Sequence, residues 1–242
     1  MLITSRANPT VKKLVSLAEK KYRREYGEYI VEGIKSVDEC IAAGCKITAV
    51  YCTEQYAEKY NGAVLLSDGI FEYISNEKTP QGVLATVEIP RLNAKPPKGQ
   101  CLLLDRIQDP GNLGTIIRTA NAAGYEDIYA VNCVDAYSPK VVRASMSGIF
   151  FVNIYDCTLD DALSVLRDVP VITADMGGEN IFTFNAPEKF CLCIGNEGGG
   201  VSDRIKALSE FTVKIPMRPT CESLNAGVSA AIAMYALKNN KI

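Results

Sequence analysis

Short uninterrupted apolar runs alternate along this chain with stretches whose apolar residues recur at helical spacing. In residues 1–90, Val11, Leu14, Val15 and Ala18 stripe a helix that Thr10 can cap. Tyr29-Ile30-Val31 predicts a strand, and Ile34, Val37 and Ile41 stripe a helix closed by Gly44. Strands follow over residues 47–52, 63–66 and 83–89, with a helix over residues 70–74. This is the pattern of a small α/β domain. Pro90 to Gly99 holds three prolines and only Leu92 and Ala94 as apolar residues, which predicts a linker over residues 91–99.

From residue 100 to 242 the alternation becomes regular. Apolar runs at 101–104, 128–131, 150–154, 171–174, 191–194 and 212–215 predict strands, and helical patterns such as Leu159, Leu163 and Leu166 lie between most of them. Continuous apolar strands separated by crossovers indicate a parallel sheet covered on both faces. Loops at the carboxyl ends of such strands are where open sheets place ligands. Three are unusual. Asp105 to Gly114 leads into a helix with Asp109 as cap and Pro110 at its first position. Leu113, Ile116, Ile117 and Ala120 then face the core, and Arg118 falls off that stripe. Gly195-Asn196-Glu197-Gly198-Gly199-Gly200 offers a backbone that can lie flat against a ligand. Ile215-Pro216-Met217 leads to Glu222-Ser223-Leu224-Asn225 at a helix start, where free N–H groups attract electron-rich groups. None of the three matches a dinucleotide fingerprint or a phosphate loop.

Composition narrows the chemistry. The chain has 242 residues, 48% hydrophobic and 22% charged, which suits two folded domains. There is no run of about 18 apolar residues to span a membrane, and Met1 to Arg6 lack the order of a secretory signal. Nine cysteines without a Cys-x-x-Cys pair predict reduced thiols and a cytoplasmic location. Cys191 and Cys193 alternate on a strand with no histidine nearby, so they fit buried packing and no metal is expected. Histidine is absent altogether, which excludes Ser-His and Cys-His nucleophilic sites. Net charge is −2, yet Arg6, Lys12, Lys13, Lys20, Lys21, Arg23 and Arg24 face a single acid, Glu19, in their stretch. That run is either a phosphate-binding patch or a solvated helix face.

Three stretches in order carry a resemblance: Asp109-Pro110-Gly111-Asn112-Leu113-Gly114-Thr115-Ile116-Ile117-Arg118-Thr119-Ala120, Gly195 through Gly200, and Ile215-Pro216-Met217 with Glu222-Ser223-Leu224-Asn225. Together they closely resemble the three motifs of the SpoU (TrmH) family of RNA 2′-O-ribose methyltransferases, in the SPOUT superfamily. Asn8-Pro9 through Val31-Glu32-Gly33 is similar to that family's substrate-binding domain, an L30e-like α/β fold. Ala226-Gly227 departs from the usual pattern after the motif Asn, and Arg218-Pro219-Thr220 has no counterpart that assigns its contacts.

The resemblance implies a parallel-sheet domain with a trefoil knot, a homodimer with sites near the subunit interface, and S-adenosyl-L-methionine bound by the knotted loops. It implies cofactor contacts from Gly195, Ile215 and Leu224, with Ile194, Asn196, Met217 and Thr173 completing the pocket; for Ile215 and Leu224 plain core packing is the alternative. The implied activity is methylation of a ribose 2′-hydroxyl in structured RNA, ribosomal RNA being favoured over transfer RNA by the N-terminal domain. Arg118 would sit beside the ribose, where a guanidinium that holds its proton acts as a charge stabiliser and phosphate clamp. Asn112 would hold Arg118 or the nucleotide, Ser223 and Asn225 would orient the ribose, and Glu197 would brace the loops or simply bond backbone amides. Arg143 is either an RNA contact or one half of a surface ion pair. Other readings are a base methyltransferase of the same superfamily and a non-catalytic RNA-binding assembly factor.

Overall fold

The structure, a computed structural model, describes residues 2–196 and 198–238, and the chain divides into two compact units. The first runs to Arg91 and also takes Tyr137–Phe150; the second comprises Leu92–Ala136 and the residues from Phe151 on.

The first unit contains β1 (Leu2–Ile3), α1 (Pro9–Ser16), α2 (Lys20–Tyr26), β2 (Glu28–Glu32), α3 (Ile34–Ala42), β3 (Ile47–Cys52), β4 (Val64–Leu66), α4 (Asp68–Ile74) and β5 (Val83–Glu88). Its sheet has the order β1-β4-β3-β5-β2, with β5 antiparallel to both neighbours. Val83 to Val87 are all buried, as a central strand requires. Helix α1 starts earlier than Thr10 would place it. Asn8 is the cap and accepts the Thr10 N–H at 2.9 Å, while Pro9 sits in the first turn, where its missing donor costs nothing. In α3 the inward residues are Val37 and Cys40, and Ile41 is exposed.

Helix α2 is too short and too polar to show in the apolar pattern. It is closed by Gly27 in the left-handed conformation. Arg23, expected on the phosphate patch, is instead 3% exposed. Its Nη1 donates to the carbonyls of Leu17 and Ala18, at 2.7 and 2.8 Å, and so satisfies acceptors left over at the end of α1.

The second unit is built from β6 (Cys101–Asp105), α5 (Pro110–Ala123), β7 (Asp127–Val131), β8 (Asn153–Cys157), α7 (Leu159–Val165), β9 (Val171–Asn180), β10 (Cys191–Ile194), α8 (Asp203–Lys206), β11 (Phe211–Lys214) and α9 (Ala226–Leu237). Between β7 and β8 the chain contributes α6 (Pro139–Ala144) to the first unit, where it packs on β2 with Val141 and Val142 buried. A contiguous second domain from residue 100 therefore does not describe Tyr137–Phe150. For the same reason β8 begins at Asn153 and not at residue 150: Gly148–Phe150 is a tight helical turn.

The six strands are all parallel, in the order β11-β9-β10-β6-β7-β8. Every residue of β6, β7 and β10 is buried, consistent with a sheet covered on both faces. Cys101, Cys191 and Cys193 lie in these strands as free thiols. The neighbouring Cys191 and then burial push the Cys101 thiol up, and burial does the same to Cys193, so these groups pack rather than react.

Arg23→Ala is expected to cost about 2–3 kcal/mol of unfolding free energy, because one buried and one part-buried hydrogen bond lose their charged donor. Lys20→Ala, at an exposed site, should stay within about 0.5 kcal/mol. Urea denaturation of both variants checks this; equal effects would remove the capping role of Arg23.

Candidate active site

From β6 the sheet grows outward through β7 and β8 on one side, and β10, β9 and β11 fill the other. The direction of winding thus reverses beside β6, and such a reversal opens a crevice at the carboxyl ends of the strands. A cleft of about 270 Å³ lies there, lined from four chain segments. Ile194 ends β10, and Gly195, Asn196 and Gly200 follow it; Val213 and Lys214 end β11, and Ile215 and Met217 follow it; Ser223 and Leu224 precede α9, and Ala226 and Ser229 lie at its start.

The fourth segment comes from a break in the β9 ladder. Thr173 of β9 pairs with Thr212 of β11, but the next pair is Glu179 with Val213. Residues 174–178 are therefore extruded, and Ala174, Asp175 and Met176 line the cleft. Gly178 closes this bulge against β11, where a Cβ would fall 2.5 Å from the Val213 nitrogen. The side chain of Lys206, and after it the Gly177 N–H, hold the Asp175 carboxyl below the usual carboxylate range. Asp175 and Met176 were not among the expected site residues. Their signal was the Asp-Met-Gly-Gly sequence that directly follows an apolar run.

The glycine-rich wall is shaped by backbone contact. A Cβ on Gly195 would stand 2.1 Å from the carbonyl carbon of Gly200, so only glycine fits. Asn196 and Gly200 exchange backbone hydrogen bonds of 3.2 and 2.9 Å across the loop. The Asn196 side chain is committed to the protein itself: Oδ1 accepts the Gly198 N–H at 2.8 Å, and Nδ2 donates to the Arg106 carbonyl at 2.8 Å.

Two helix starts meet beside this wall. Asp109 caps α5 by accepting the Asn112 N–H at 2.8 Å, and Asn225 caps α9 by accepting the Val228 N–H at 3.2 Å. Asn225 Nδ2 then donates to Asn112 Oδ1 at 2.8 Å, tying the two starts together. The unusual Ala226-Gly227 pair has a packing reason, since a Cβ on Gly227 would stand 3.2 Å from the Thr115 side chain.

Most of the expected pocket residues line the cleft: Ile194, Gly195, Asn196, Ile215, Met217, Ser223 and Leu224. Thr173 does not. It is 1% exposed and hydrogen-bonded to the Ser209 hydroxyl, while the extruded residues after it take the lining position. Asn112 engages Asn225 rather than Arg118. Arg118 is exposed on α5 and makes no hydrogen bond or ion pair among the described residues. Glu197 lies outside the described residues.

Of the basic run, Lys12, Lys20, Lys21 and Arg24 are exposed. Lys13 pairs with Glu28 at 2.7 Å, and the Arg6 guanidinium stands 4.2 Å over the Tyr73 ring. Arg143 is ion-paired with Glu77 and belongs to the first unit.

Residues 99–235 match the SpoU rRNA Methylase family, and residues 8–85 match an MRM3-like substrate binding domain. The chain belongs to the SpoU rRNA methylase family. A 23S rRNA (guanosine(2553)-2′-O)-methyltransferase of Bacillus subtilis is 29% identical, over 98% of each chain. An AdoMet-bound rRNA methyltransferase from Sinorhizobium meliloti superposes with a TM-score of 0.90 at 29% identity, covering 100% of this chain and 98% of that one. The SpoU methyltransferase AviRb from Streptomyces viridochromogenes, in complex with AdoMet, gives 0.84 at 25% identity, covering 95% and 96%.

In this SpoU family member the glycine loop offers a clean contrast. Gly195→Ala must displace the Gly200 backbone and is expected to cost about 2–4 kcal/mol. A Cβ on Gly199 meets nothing within 4 Å, so Gly199→Ala should stay within about 0.5 kcal/mol. Thermal and urea unfolding of the two variants measure the difference, and indistinguishable stabilities would refute the backbone-contact account.

Proposed function

We propose that this chain transfers a methyl group from S-adenosylmethionine to a ribose 2′-hydroxyl of ribosomal RNA, as a homodimer. The observation that carries this is the convergence of the glycine loop, the end of β11 and the α9 start on one cleft. Relatives are named for guanosine, uridine and adenosine positions of 23S rRNA. Their bases differ, so the ribose oxygen is what we take this chain to act on.

The residues fit such a cofactor. Gly195 and Gly200 present bare backbone, Ile194, Met217 and Leu224 present apolar surface, and Asp175 adds a carboxylate. When bound, S-adenosylmethionine supplies an electrophilic methyl group on a sulfonium. The chain has then to hold the ribose oxygen in line and to manage one proton, and it does so without histidine. Arg118 is suited to the second task through charge. Its guanidinium carries donors and no acceptor, so it donates hydrogen bonds to a phosphate and to negative charge growing on the 2′-oxygen. Ser223 and the coupled Asn112 and Asn225 orient the ribose.

Lys12, Lys20, Lys21 and Arg24, in the segment matching a substrate-binding domain, contact RNA phosphates. Dimerisation is supported by α9, where Val228 and Tyr235 leave apolar surface exposed opposite the face packed on α5. The trefoil knot is proposed on the likeness to the solved SpoU structures. No helix among the described residues is long and apolar enough to cross a membrane, and the free thiols suit the reducing cytoplasm.

Arg118→Ala should leave folding and cofactor affinity nearly intact, because the side chain is exposed and unpaired among the described residues. Its single-turnover methyl transfer to unmethylated ribosomal RNA, with cofactor and RNA saturating, should fall about 100- to 1000-fold. Arg118→Lys keeps the charge without the planar fork and should rescue in part. A rate within about threefold of wild type, far below a donor effect, would make Arg118 a binding or structural residue.

A further inference from the structure

Arg106, in the loop after β6, has a backbone angle that its residue type disfavours. Its φ is +60°, in the left-handed region where a Cβ crowds the following carbonyl and glycine is the usual occupant. Strain of this kind persists where the surroundings gain from it. Here the gain is visible. Arg106 Nε donates to Asp105 Oδ1 at 3.1 Å, and Nη2 donates to Asp105 Oδ2 at 3.3 Å and to the Gly200 carbonyl at 3.2 Å. The Arg106 carbonyl accepts Asn196 Nδ2, and Asp105 Oδ2 also accepts the Ser202 N–H at 2.7 Å. Asp105 is 3% exposed, and among the described residues this guanidinium and one backbone amide compensate its charge.

The Asp105-Arg106 pair thus grips the glycine loop at residues 196, 200 and 202 and anchors it to the end of β6. The loop already closes on itself through the Asn196–Gly200 backbone pair. The guanidinium adds something different: a fixed position for that closed loop relative to the sheet. A glycine at 106 would relax the backbone and lose that grip.

We infer that Arg106 is a positioning residue of the cleft, setting where the Gly195–Gly200 backbone wall stands against the bound cofactor. This rests on the cofactor assignment made for the cleft above. It assigns Arg106 no contact with the cofactor and no part in proton transfer.

Three variants of the full chain separate this role from plain stabilisation. Arg106→Ala loses the guanidinium and keeps the backbone strain; Arg106→Gly loses the guanidinium and relieves the strain. Arg106→Lys retains a charge for Asp105, but one ammonium cannot span the carboxylate and the Gly200 carbonyl. The measurements are calorimetric titration with S-adenosylmethionine and with its demethylated product, thermal unfolding, and amide hydrogen exchange of residues 198–202. The Gly variant should melt higher than the Ala variant, yet both should bind about tenfold more weakly than wild type, to the same extent. Lys should recover part of the affinity, and faster exchange should be confined to the glycine loop. If Gly binds better than Ala in step with its higher melting point, or if all three bind like wild type, the positioning role is overturned and the cofactor assignment stands. Wild-type protein that binds neither compound overturns the cofactor assignment, and the role of Arg106 with it.

Discussion

Strand β10 is paired in parallel on both sides and buried at every residue, so the chain can leave it only at the carboxyl edge of the sheet. There it must turn back at once, and it does so at Gly195, with the Gly200 backbone closer than any side chain could tolerate. That contact fixes the wall of the cleft. The other walls follow from what β10 displaces. Because it separates β6 from β9, the chain segments after β6, β9 and β11 reach the same edge from both sides. The cleft is thus a consequence of strand order, and the side chains lining it are placed by backbone geometry before their own chemistry matters.

The two helix starts make a second connection across a long sequence separation. Asp109 caps α5 through the Asn112 N–H and Asn225 caps α9, and the side-chain hydrogen bond from Asn225 to Asn112 holds those termini side by side. Helix starts carry partial positive charge and unpaired N–H groups. The α9 start lines the cleft, so an electron-rich ligand is favoured there without any cation being spent on it. The close packing of Gly227 on Thr115 keeps α5 and α9 in register for this pairing.

Strands at 101–104, 128–131 and 191–194 could be read from the sequence because burial on both faces leaves continuous apolar runs. The cap of α5 was equally legible, since Asp109 and Pro110 act locally. What stayed hidden depended on distant partners. No local pattern tells which core an amphipathic segment joins, so the passage of Tyr137–Phe150 into the first unit was not visible. The second half of β9 is polar and pairs with β11 only after a register break, which is why Asp175 and Met176 were missed and Thr173 was taken for the lining. Arg23 looked like its basic neighbours because charge in a sequence does not reveal which carbonyls lie within reach.

The residues of one chemical type then separate by how much of their bonding capacity the fold consumes. Arg23 is used up on two carbonyls at the end of α1, and Arg143 is held by Glu77. Arg106 is held by Asp105 and Gly200, and its neighbours in turn hold the glycine loop. Arg118 lies on a helix whose buried face is filled by Leu113, Ile116, Ile117 and Ala120, and nothing among the described residues engages it. A guanidinium left without a partner costs little at an exposed site, since water solvates it. Such a guanidinium can donate to an incoming anion without first breaking a bond within the protein. The same test distinguishes the hydroxyls, because Thr173 is committed to Ser209 while Ser223 lines the open cleft. Availability, more than residue type, is what sets the chemical groups of this site apart from those that build it.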